Sequence, residues 1–406
     1  MIRALFAVMV LLALLGDVRI FLFVLNRIVF GDHREEHNPW NFLIWAMPPV
    51  LLVLTGLFWP LNIWIERLLT LRIVESITPG RLEEIAWSIA LAKLGAVWMI
   101  IAACVGLYWL VDRARELSIE KVPLDGIRDD EPTLIRIRRP HMPFDFLRRL
   151  GAHNDVYDIE VTRHELFIDG LPEEFDGYRI AFLTDTHVAS FMRDRFYDAI
   201  AEQVRAFDPD LVLLGGDFVS FTRHIPLMGK VLAPSCVGRD GTFAILGNHD
   251  YWAGAQEVQS TLEANGVQFL TNRNVALRRG PARINLLGID EIYRGEPDVD
   301  AAFERIDPAR VTIGVSHHPD IIDLLDGRRL DLLVCGHTHG GQIRFPFFGA
   351  IVVPSKHEQR YAAGFQRERN VLMYISRGIG SIPPLRILCR PEVATFTLRR
   401  GGRRQP

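Results

Sequence analysis

The sequence predicts an α/β protein in which a sandwich of β-sheet and helices follows an α-helical membrane region. Three observations predict this fold class. The whole chain of 406 residues has a mean hydropathy of +0.13, and its apolar residues are concentrated in the first quarter. From Tyr157 onward, short apolar runs typical of strands alternate with helical patterns. Clusters of Asp, Asn and His directly follow five of those runs.

Three apolar stretches precede residue 112, over 4–30, 41–65 and 85–111. A membrane-spanning helix needs about 20 predominantly apolar residues. The second and third stretches meet this requirement, and the first does if its charged side chains face other helices or reach the interface. A signal peptide is the alternative for the first stretch, but no A-x-A-type cleavage site follows it. We therefore expect a multi-pass protein of the cell membrane with about three spans.

The charges around these stretches are too evenly distributed to predict the orientation in the membrane. The net charge is −3, so it does not indicate a nucleic acid partner. Four scattered cysteines form no C-x-x-C pair, which argues against a disulfide framework and a thiolate zinc site.

Composition divides the chain into four regions. The expected regions are membrane helices over 1–112, a basic linker over 113–155, a globular domain over 156–398 and a disordered tail over 399–406. The linker is predicted to be solvated, with contact to anionic lipid headgroups as the alternative. Within the globular domain we expect an opening hairpin over 156–169, helices over 196–207, 256–264, 299–306 and 321–325, and strands over 371–375 and 393–398.

Five polar clusters carry the chemistry of the globular domain. They are Asp185-Thr186-His187, Gly216-Asp217, Gly247-Asn248-His249-Asp250, His317-His318 and Gly336-His337-Thr338-His339. Strand ends of an open α/β sheet converge at one edge, so we expect these side chains to meet. Carboxylate, amide and imidazole ligands suit a pair of divalent metal ions.

Two cations about 3.5–4 Å apart need an anionic bridge between them. Asp217 is the candidate bridge, because it lies in the middle of the set and follows two glycines that permit a tight turn. Asp185 and His187 are two residues apart, which places them on the same side of an extended segment. His337 and His339 have the same spacing.

The ordered pattern D-x-H, G-D, G-N-H-[DE], H and G-H-x-H resembles the calcineurin-like metallophosphoesterase superfamily. The resemblance covers 157–398, and matches such as Gly341-Gln342-Ile343-Arg344 and Gly378-Ile379-Gly380 resemble its membrane-associated bacterial branch. It implies a metallophosphatase-type β-sandwich flanked by helices. It also implies a metal-dependent phosphoesterase, a hydrolase that acts on ester bonds.

The resemblance further implies a role for each matched residue. Asp185, His187, Asp217 and His339 would bind one metal, and Asp217, Asn248, His317 and His337 the other. His249 would protonate the leaving oxygen, Asp250 would orient His249, and a hydroxide bridging the metals would attack phosphorus. The ligands suit manganese, iron or zinc, and the sequence does not choose among them. His318 is expected to have a structural role.

The leading hypothesis is a membrane-anchored dinuclear hydrolase of a phosphodiester or pyrophosphate. A lipid-linked substrate, with membrane lipids as neighbours, would explain the anchor. One alternative is a catalytically silent membrane scaffold or sensor, which would have no need of His249. Another is a soluble-type nucleotide phosphodiesterase held at the membrane. Arg344, Arg377 and Arg386 are candidates for phosphate binding, with surface or strand-pairing roles as the alternative.

Overall fold

The computed structural model describes residues 8–9, 11–20, 97–98, 100–111, 126–137, 153–189, 192, 194–346, 349–350 and 352–401. The chain divides into two compact units, Met1–Lys121 and Val122–Pro406. All the predicted metal ligands belong to the second unit.

In the first unit, residues 11–20 and 100–111 are helical. Ala13 and Ala102 are both buried in one small cluster, and Trp98 Nε1 donates a hydrogen bond of 3.0 Å to the buried Asp17 Oδ1. Among the described residues, no helix is both long enough and apolar enough to cross a membrane. The predicted span over 41–65 lies outside the described residues, as do parts of the other two.

The second unit is built on strands that form two large sheets and one short hairpin. In chain order the strands are β1 (Ile127–Asp129), β2 (Thr133–Arg136), β3 (Asp158–Ile168), β4 (Arg179–Leu183), β5 (Leu211–Leu214), β6 (Thr242–Ala244), β7 (Val267–Phe269), β8 (Arg273–Arg279), β9 (Ala282–Ile289), β10 (Thr312–Ser316), β11 (Leu332–Cys335), β12 (Arg344–Phe345), β13 (Gly349–Ala350), β14 (Gly364–Glu368), β15 (Val371–Ile375) and β16 (Glu392–Arg400).

The first sheet has the order β1-β3-β16-β4-β5-β6-β7, with β2 also paired to β3. The second has the order β14-β15-β11-β10-β9-β8, and β12 pairs with β13. Strands β4 to β7 run parallel to one another, as do β9, β10, β11 and β15. The carboxyl ends of each parallel group therefore lie at one edge of its sheet.

Helices cover the sheets. The α-helices are α1 (Asp194–Phe207), α2 (Ile225–Leu232), α3 (Asn248–Glu263) and α4 (Val299–Ala302). The 3₁₀ segments are Asp155–Tyr157, Glu173–Phe175, Thr222–His224, Ala233–Ser235, Pro319–Leu324, His339–Gly341 and Glu358–Tyr361. Helices α1, α2 and α3 share a buried apolar cluster with the first sheet, and α4 and Pro319–Leu324 share another with the second sheet.

Alternation along β5 shows how the layers form. Val212 and Leu214 pack into the cluster shared with α1 to α3, whereas Leu211 and Leu213 pack into a cluster shared with the second sheet. Successive side chains of a strand point to opposite faces, so a fully apolar strand serves both clusters. The predicted α/β sandwich with flanking helices is therefore confirmed for the second unit.

Three predictions about the borders of this unit were wrong. The expected hairpin over 156–169 is one continuous strand, β3, because it is paired with β16 on one side and with β1 and β2 on the other. Part of the expected linker is folded into the sheet as β1 and β2. The expected tail begins with Arg399 and Arg400, which end β16. Residues 402–406 and most of the linker lie outside the described residues.

Candidate metal centre and active site

The predicted ligands lie in the segments that directly follow β4, β5, β6, β10 and β11, and these segments meet at one edge of the sandwich, here called the site edge. Five of the ligands have left-handed backbone conformations: Asp185 (φ 52°), His187 (φ 38°), Asp217 (φ 54°), His337 (φ 68°) and His339 (φ 51°). Such conformations are uncommon for residues with a Cβ atom and often occur at functional sites. The predicted extended geometry of Asp185 to His187 is therefore wrong, because the chain turns between them.

Glycines make room for these turns. A Cβ atom on Gly336 would lie 2.3 Å from Asp185 Oδ2, and one on Gly247 would lie 2.2 Å from Asp217 Oδ1. Any larger residue at either position would displace a carboxylate. Glycine at these two positions therefore leaves the space that the two carboxylates occupy.

The first group of ligand atoms comprises Asp185, His187, Asp217 and His339, whose donor atoms all lie within 4.8 Å of one another. His187 Nε2 is 3.0 Å from His339 Nε2 and 3.5 Å from Asp217 Oδ2. His339 Nε2 is 3.5 Å from Asp185 Oδ1. This group could hold one metal ion.

The second group comprises Asp217, His317 and His337 within the same limit. His337 Nδ1 lies 3.1 Å from His317 Nε2 and 3.0 Å from Asn248 Oδ1, so Asn248 joins the group. His337 and His339 thus face different groups, although their spacing predicted a shared side. A positive φ at both residues separates their side chains.

Asp217 is common to both groups. Its Oδ2 atom is 3.5 Å from His187 Nε2 and 3.4 Å from His317 Nε2. Its Oδ1 atom accepts a hydrogen bond of 2.8 Å from the backbone N–H of His249. The carboxylate is thus held by α3 with one oxygen directed between the two groups.

Partners of the outer ring nitrogens orient the imidazoles. His187 Nδ1 is 2.6 Å from Ser220 Oγ, and His317 Nδ1 is 2.8 Å from the carbonyl oxygen of Gly215. Both contacts leave Nε2 directed into the centre. Partners of this kind fix the tautomer and the ring orientation of metal-binding histidines.

Burial determines the charge states of the imidazoles. It lowers the pKa of His187 to about 3 and holds the pKa values of His337 and His339 well below their usual range, so these rings are neutral at pH 7. Neutral imidazole is the form that binds metal. Burial also lowers the pKa of His317, but the Asp217 carboxylate beside it outweighs this effect and raises the value to about 10.

The carboxylates show the complementary pattern. Burial, together with the charge of Asp217, raises the pKa of Asp185 to about 7. Burial acts in the same direction on Asp217, but the charge and hydrogen bond of His317 hold its pKa well below the usual range. Two buried carboxylates near neutral nitrogen donors fit a cation, which would stabilise both in the ionised form.

His249 lies at the entrance of the centre. It is partly exposed, and its ring stands edge-on to the His187 ring at a centroid distance of 4.7 Å. Burial lowers the pKa of His249. The ring is thus close to the first group and open to solvent, as a group that protonates a substrate must be.

The structure gives Asp250 a different task from the predicted one. Its Oδ1 atom accepts from the backbone N–H groups of Phe218 (2.8 Å) and Val219 (3.2 Å), and its Oδ2 atom accepts from Gly247 N–H (2.9 Å). Asp250 thus orients the loop after Asp217 and the start of α3, rather than the His249 ring.

Two of the three candidate phosphate-binding arginines, Arg377 and Arg386, have structural partners. Arg386 is fully buried, and its Nη2 atom donates to the carbonyl oxygens of Arg377 (2.8 Å) and Gly380 (2.6 Å). Its Nη2 atom also lies 3.3 Å from His339 Nδ1. Arg377 forms ion pairs with Glu160 (2.7 Å) and Glu392 (3.2 Å). Arg386 therefore supports His339 from behind, and a role in direct phosphate binding does not fit its burial.

Sequence reasoning missed Asp290 and Glu291. Both are buried, and they follow β9, which is parallel to β10 and ends at the site edge. Glu291 Oε2 accepts from the backbone N–H groups of Tyr293 (2.8 Å) and Arg294 (2.6 Å). The signal was the same as for the ligands, since an acidic pair directly follows an apolar strand.

Comparison with known proteins agrees with this geometry. Residues 178–341 match the family described as calcineurin-like phosphoesterase. The chain is 30% identical over 252 residues to an uncharacterized metallophosphoesterase of Bacillus subtilis, YkuE, with 59% of this chain and 86% of that protein covered. It is 33% identical over 247 residues to the phosphodiesterase YaeI of Escherichia coli, with 59% and 88% covered.

A third relative is an uncharacterized metallophosphoesterase of Helicobacter pylori, 33% identical over 258 residues, with 61% of this chain and 66% of that protein covered. The match to the family, over residues 178–341, includes β4 and extends past His339, so it contains every predicted ligand. The chain therefore belongs to the calcineurin-like phosphoesterase family and is a hydrolase of phosphoesters.

Proposed function

We propose that this protein is a membrane-anchored phosphodiesterase that uses two divalent metal ions to hydrolyse a phosphodiester or pyrophosphate. The observation that carries the proposal is the position of Asp217 Oδ2, 3.5 Å from His187 Nε2 and 3.4 Å from His317 Nε2. One carboxylate between two ligand groups is what two closely spaced cations require. The name of the Escherichia coli relative, a phosphodiesterase, supports the choice of a diester.

The proposed ligands are those of the two groups. Asp185, His187, Asp217 and His339 would hold one ion, and Asp217, Asn248, His317 and His337 the other. The mixture of carboxylate, amide and imidazole suits manganese, iron or zinc.

The chain supplies the remaining chemistry. When bound, the two cations polarise phosphoryl oxygens and lower the pKa of a coordinated water. His249, at the entrance, donates the proton that the leaving oxygen needs. Asp250 fixes the start of α3, which places both the His249 ring and the N–H that holds Asp217. A positioned acid of this kind contributes roughly 10²–10⁴-fold to the rate.

The membrane anchor rests on the three apolar stretches before residue 112. The hydrogen bond from Trp98 to the buried Asp17 supports it, because a charged residue in a span must face another helix. A lipid-linked phosphodiester at the bilayer surface would give the enzyme a reason to be anchored. The same location and the family resemblance favour the membrane-associated bacterial branch.

The test uses full-length protein in detergent, supplied with manganese, and two diesters: bis-p-nitrophenyl phosphate and ethyl methyl phosphate. Wild type should hydrolyse both. His249→Ala should slow the alkyl diester by about 10²–10⁴-fold and the aryl diester far less, because p-nitrophenolate leaves without a proton. Elemental analysis should find unchanged metal content in the variant.

Equal losses on the two diesters at unchanged metal content would show that His249 is not the acid. A wild-type protein that binds metal but hydrolyses no phosphoester would favour the silent scaffold instead.

A further inference from the structure

Two exposed aromatic side chains, one of them beside His249, each lie under a guanidinium group. Trp252 is 55% exposed, and Arg294 Cζ is 5.5 Å from the centroid of its ring. Phe221 is 44% exposed, and Arg223 Cζ is 4.7 Å from its ring centroid. We call these four residues the aromatic rim. Large exposed aromatic side chains beside a reactive centre indicate a surface that binds a ligand.

The rim is continuous with the proposed acid. The His249 ring lies edge-on between two others, with its centroid 4.7 Å from that of His187 and 4.6 Å from that of Trp252. Thr222 Oγ1 donates a 2.6 Å hydrogen bond to the carbonyl oxygen of Ala253, which joins the Phe221 segment to the Trp252 segment. The His249 ring therefore lies between the first ligand group and Trp252, the nearest ring of the rim.

Buried carboxylates hold the rim in place. Glu291 fixes the backbone of Arg294, and Asp290 Oδ1 accepts a 2.6 Å hydrogen bond from Tyr251 OH. The second contact ties the Arg294 loop to α3, next to Trp252. The two partners of this aromatic–guanidinium pair are thus positioned from separate elements before any ligand binds, which lowers the entropic cost of binding.

We infer that the aromatic rim binds the leaving group and selects phosphodiesters whose leaving alcohol carries a planar ring, as a nucleoside does. The rim lies on the side of the centre where His249 delivers its proton, which is the side of the leaving oxygen. The inference rests on the proposed function, because that function makes His249 the acid and so sets the side of the leaving oxygen. An indole face stacks on planar rings whatever their substituents, and a guanidinium group can bind oxygen atoms of the same ligand.

The test exploits a substrate that can be cut in two ways. Hydrolysis of thymidine 5′-methyl phosphate gives either thymidine and methyl phosphate or thymidine monophosphate and methanol. If the rim binds the leaving group, wild type should release mainly thymidine. The product ratio does not depend on how much of a sample is folded or loaded with metal, because both products come from the same active molecules.

Trp252→Ala should reduce the ratio of thymidine to thymidine monophosphate by about fivefold or more, the effect of losing one base–aromatic stack. Trp252→Phe, which keeps a ring, should retain most of the preference. Phe167→Ala is the matched control, since Phe167 is 42% exposed but lies at the carboxyl end of β3, at the opposite edge of the first sheet. It should leave the ratio unchanged.

An unchanged ratio in Trp252→Ala would overturn the inference and leave the proposed function intact. A wild type that cuts neither bond and also leaves bis-p-nitrophenyl phosphate and ethyl methyl phosphate intact would instead contradict the proposed function. The rim would then be judged by calorimetry with thymidine 5′-monophosphate and the manganese-loaded protein. Weaker binding to Trp252→Ala, with binding of inorganic phosphate unchanged, would support it, and equal binding of the nucleotide to both proteins would overturn it.

Discussion

A buried aspartate lies at each end of strand β5, and the two carboxylates have different partners. Asp210 precedes the strand, Asp217 follows it, and each is 1% exposed. Asp210 accepts hydrogen bonds from Arg179 N–H (2.8 Å), from Arg239 Nε (2.9 Å) and from Arg279. Asp217 has no such guanidinium partner among the described residues, and its Oδ2 atom faces imidazole nitrogens at 3.4 and 3.5 Å.

The difference separates stability from function. The carboxylate of Asp210 is neutralised by groups that are permanently charged, so it needs nothing further. Asp217 adopts a positive φ and directs one oxygen between two ligand groups. Strain and incompletely compensated charge of this kind occur where a ligand completes the arrangement. The loop after the strand is therefore built for cations, and the loop before it is built for folding.

Asp217→Asn should have the largest effect. The substitution keeps the shape but removes the charge that both metal groups share. We expect metal affinity to fall by more than about 100-fold, beyond the range found for outer-shell partners of metal ligands, and turnover to be lost. Elemental analysis and hydrolysis of bis-p-nitrophenyl phosphate measure the two effects.

Asp210→Asn is the matched control for that experiment, because it makes the same chemical change at the other end of the same strand. It should keep its metal and its turnover per folded molecule. If the two variants lost metal equally, the contrast between the two ends of β5 would be wrong.

The sequence predicted the site edge well for one physical reason. Strands that are buried on both faces are continuous apolar runs, so polar residues after them mark strand ends directly. This signal located Asp185, Asp217, Asn248 and His317 without any knowledge of the fold. It also marked Asp290 and Glu291, whose significance was missed because neither matches a ligand motif.

What the sequence could not predict depends on backbone conformation and on distant pairing. Spacing alone placed His337 and His339 on one side, but their left-handed backbones send them to different groups. The role of Asp250 depends on Phe218 and Val219, which lie 31 to 32 positions earlier in the chain. The segment that forms β2, which was predicted to be part of a linker, is paired as a strand with β3, on the side of β3 opposite to β16.

The second effect in size is on stability. Asp210→Asn removes a carboxylate that accepts hydrogen bonds from two guanidinium groups and a backbone N–H. We expect the free energy of unfolding to fall by about 2 kcal/mol, typical of a hydrogen-bonded charged group. Urea denaturation of the metal-loaded protein measures this change. A stability equal to that of wild type would show that the arginines compensate through Asp208, which accepts a hydrogen bond of 3.0 Å from Arg239 Nη1.

The smallest effect is the pH dependence of the difference in unfolding free energy between wild type and Asp210→Asn. Burial would raise the pKa of Asp210, but hydrogen bonds from Arg179 N–H, Arg239 and Arg279 outweigh it and lower the value below 3.8. A carboxyl group with a lowered folded-state pKa stabilises the protein above its unfolded pKa and loses this contribution as the pH falls through the folded value. The gap between wild type and Asp210→Asn should thus be constant above about pH 5 and should shrink below pH 4. Protonation of the metal ligands affects both proteins alike, so it cancels in the difference. A gap that widened as the pH fell would mean that Asp210 is protonated in the folded protein, and the neutralised end of β5 would then no longer contrast with the charged end.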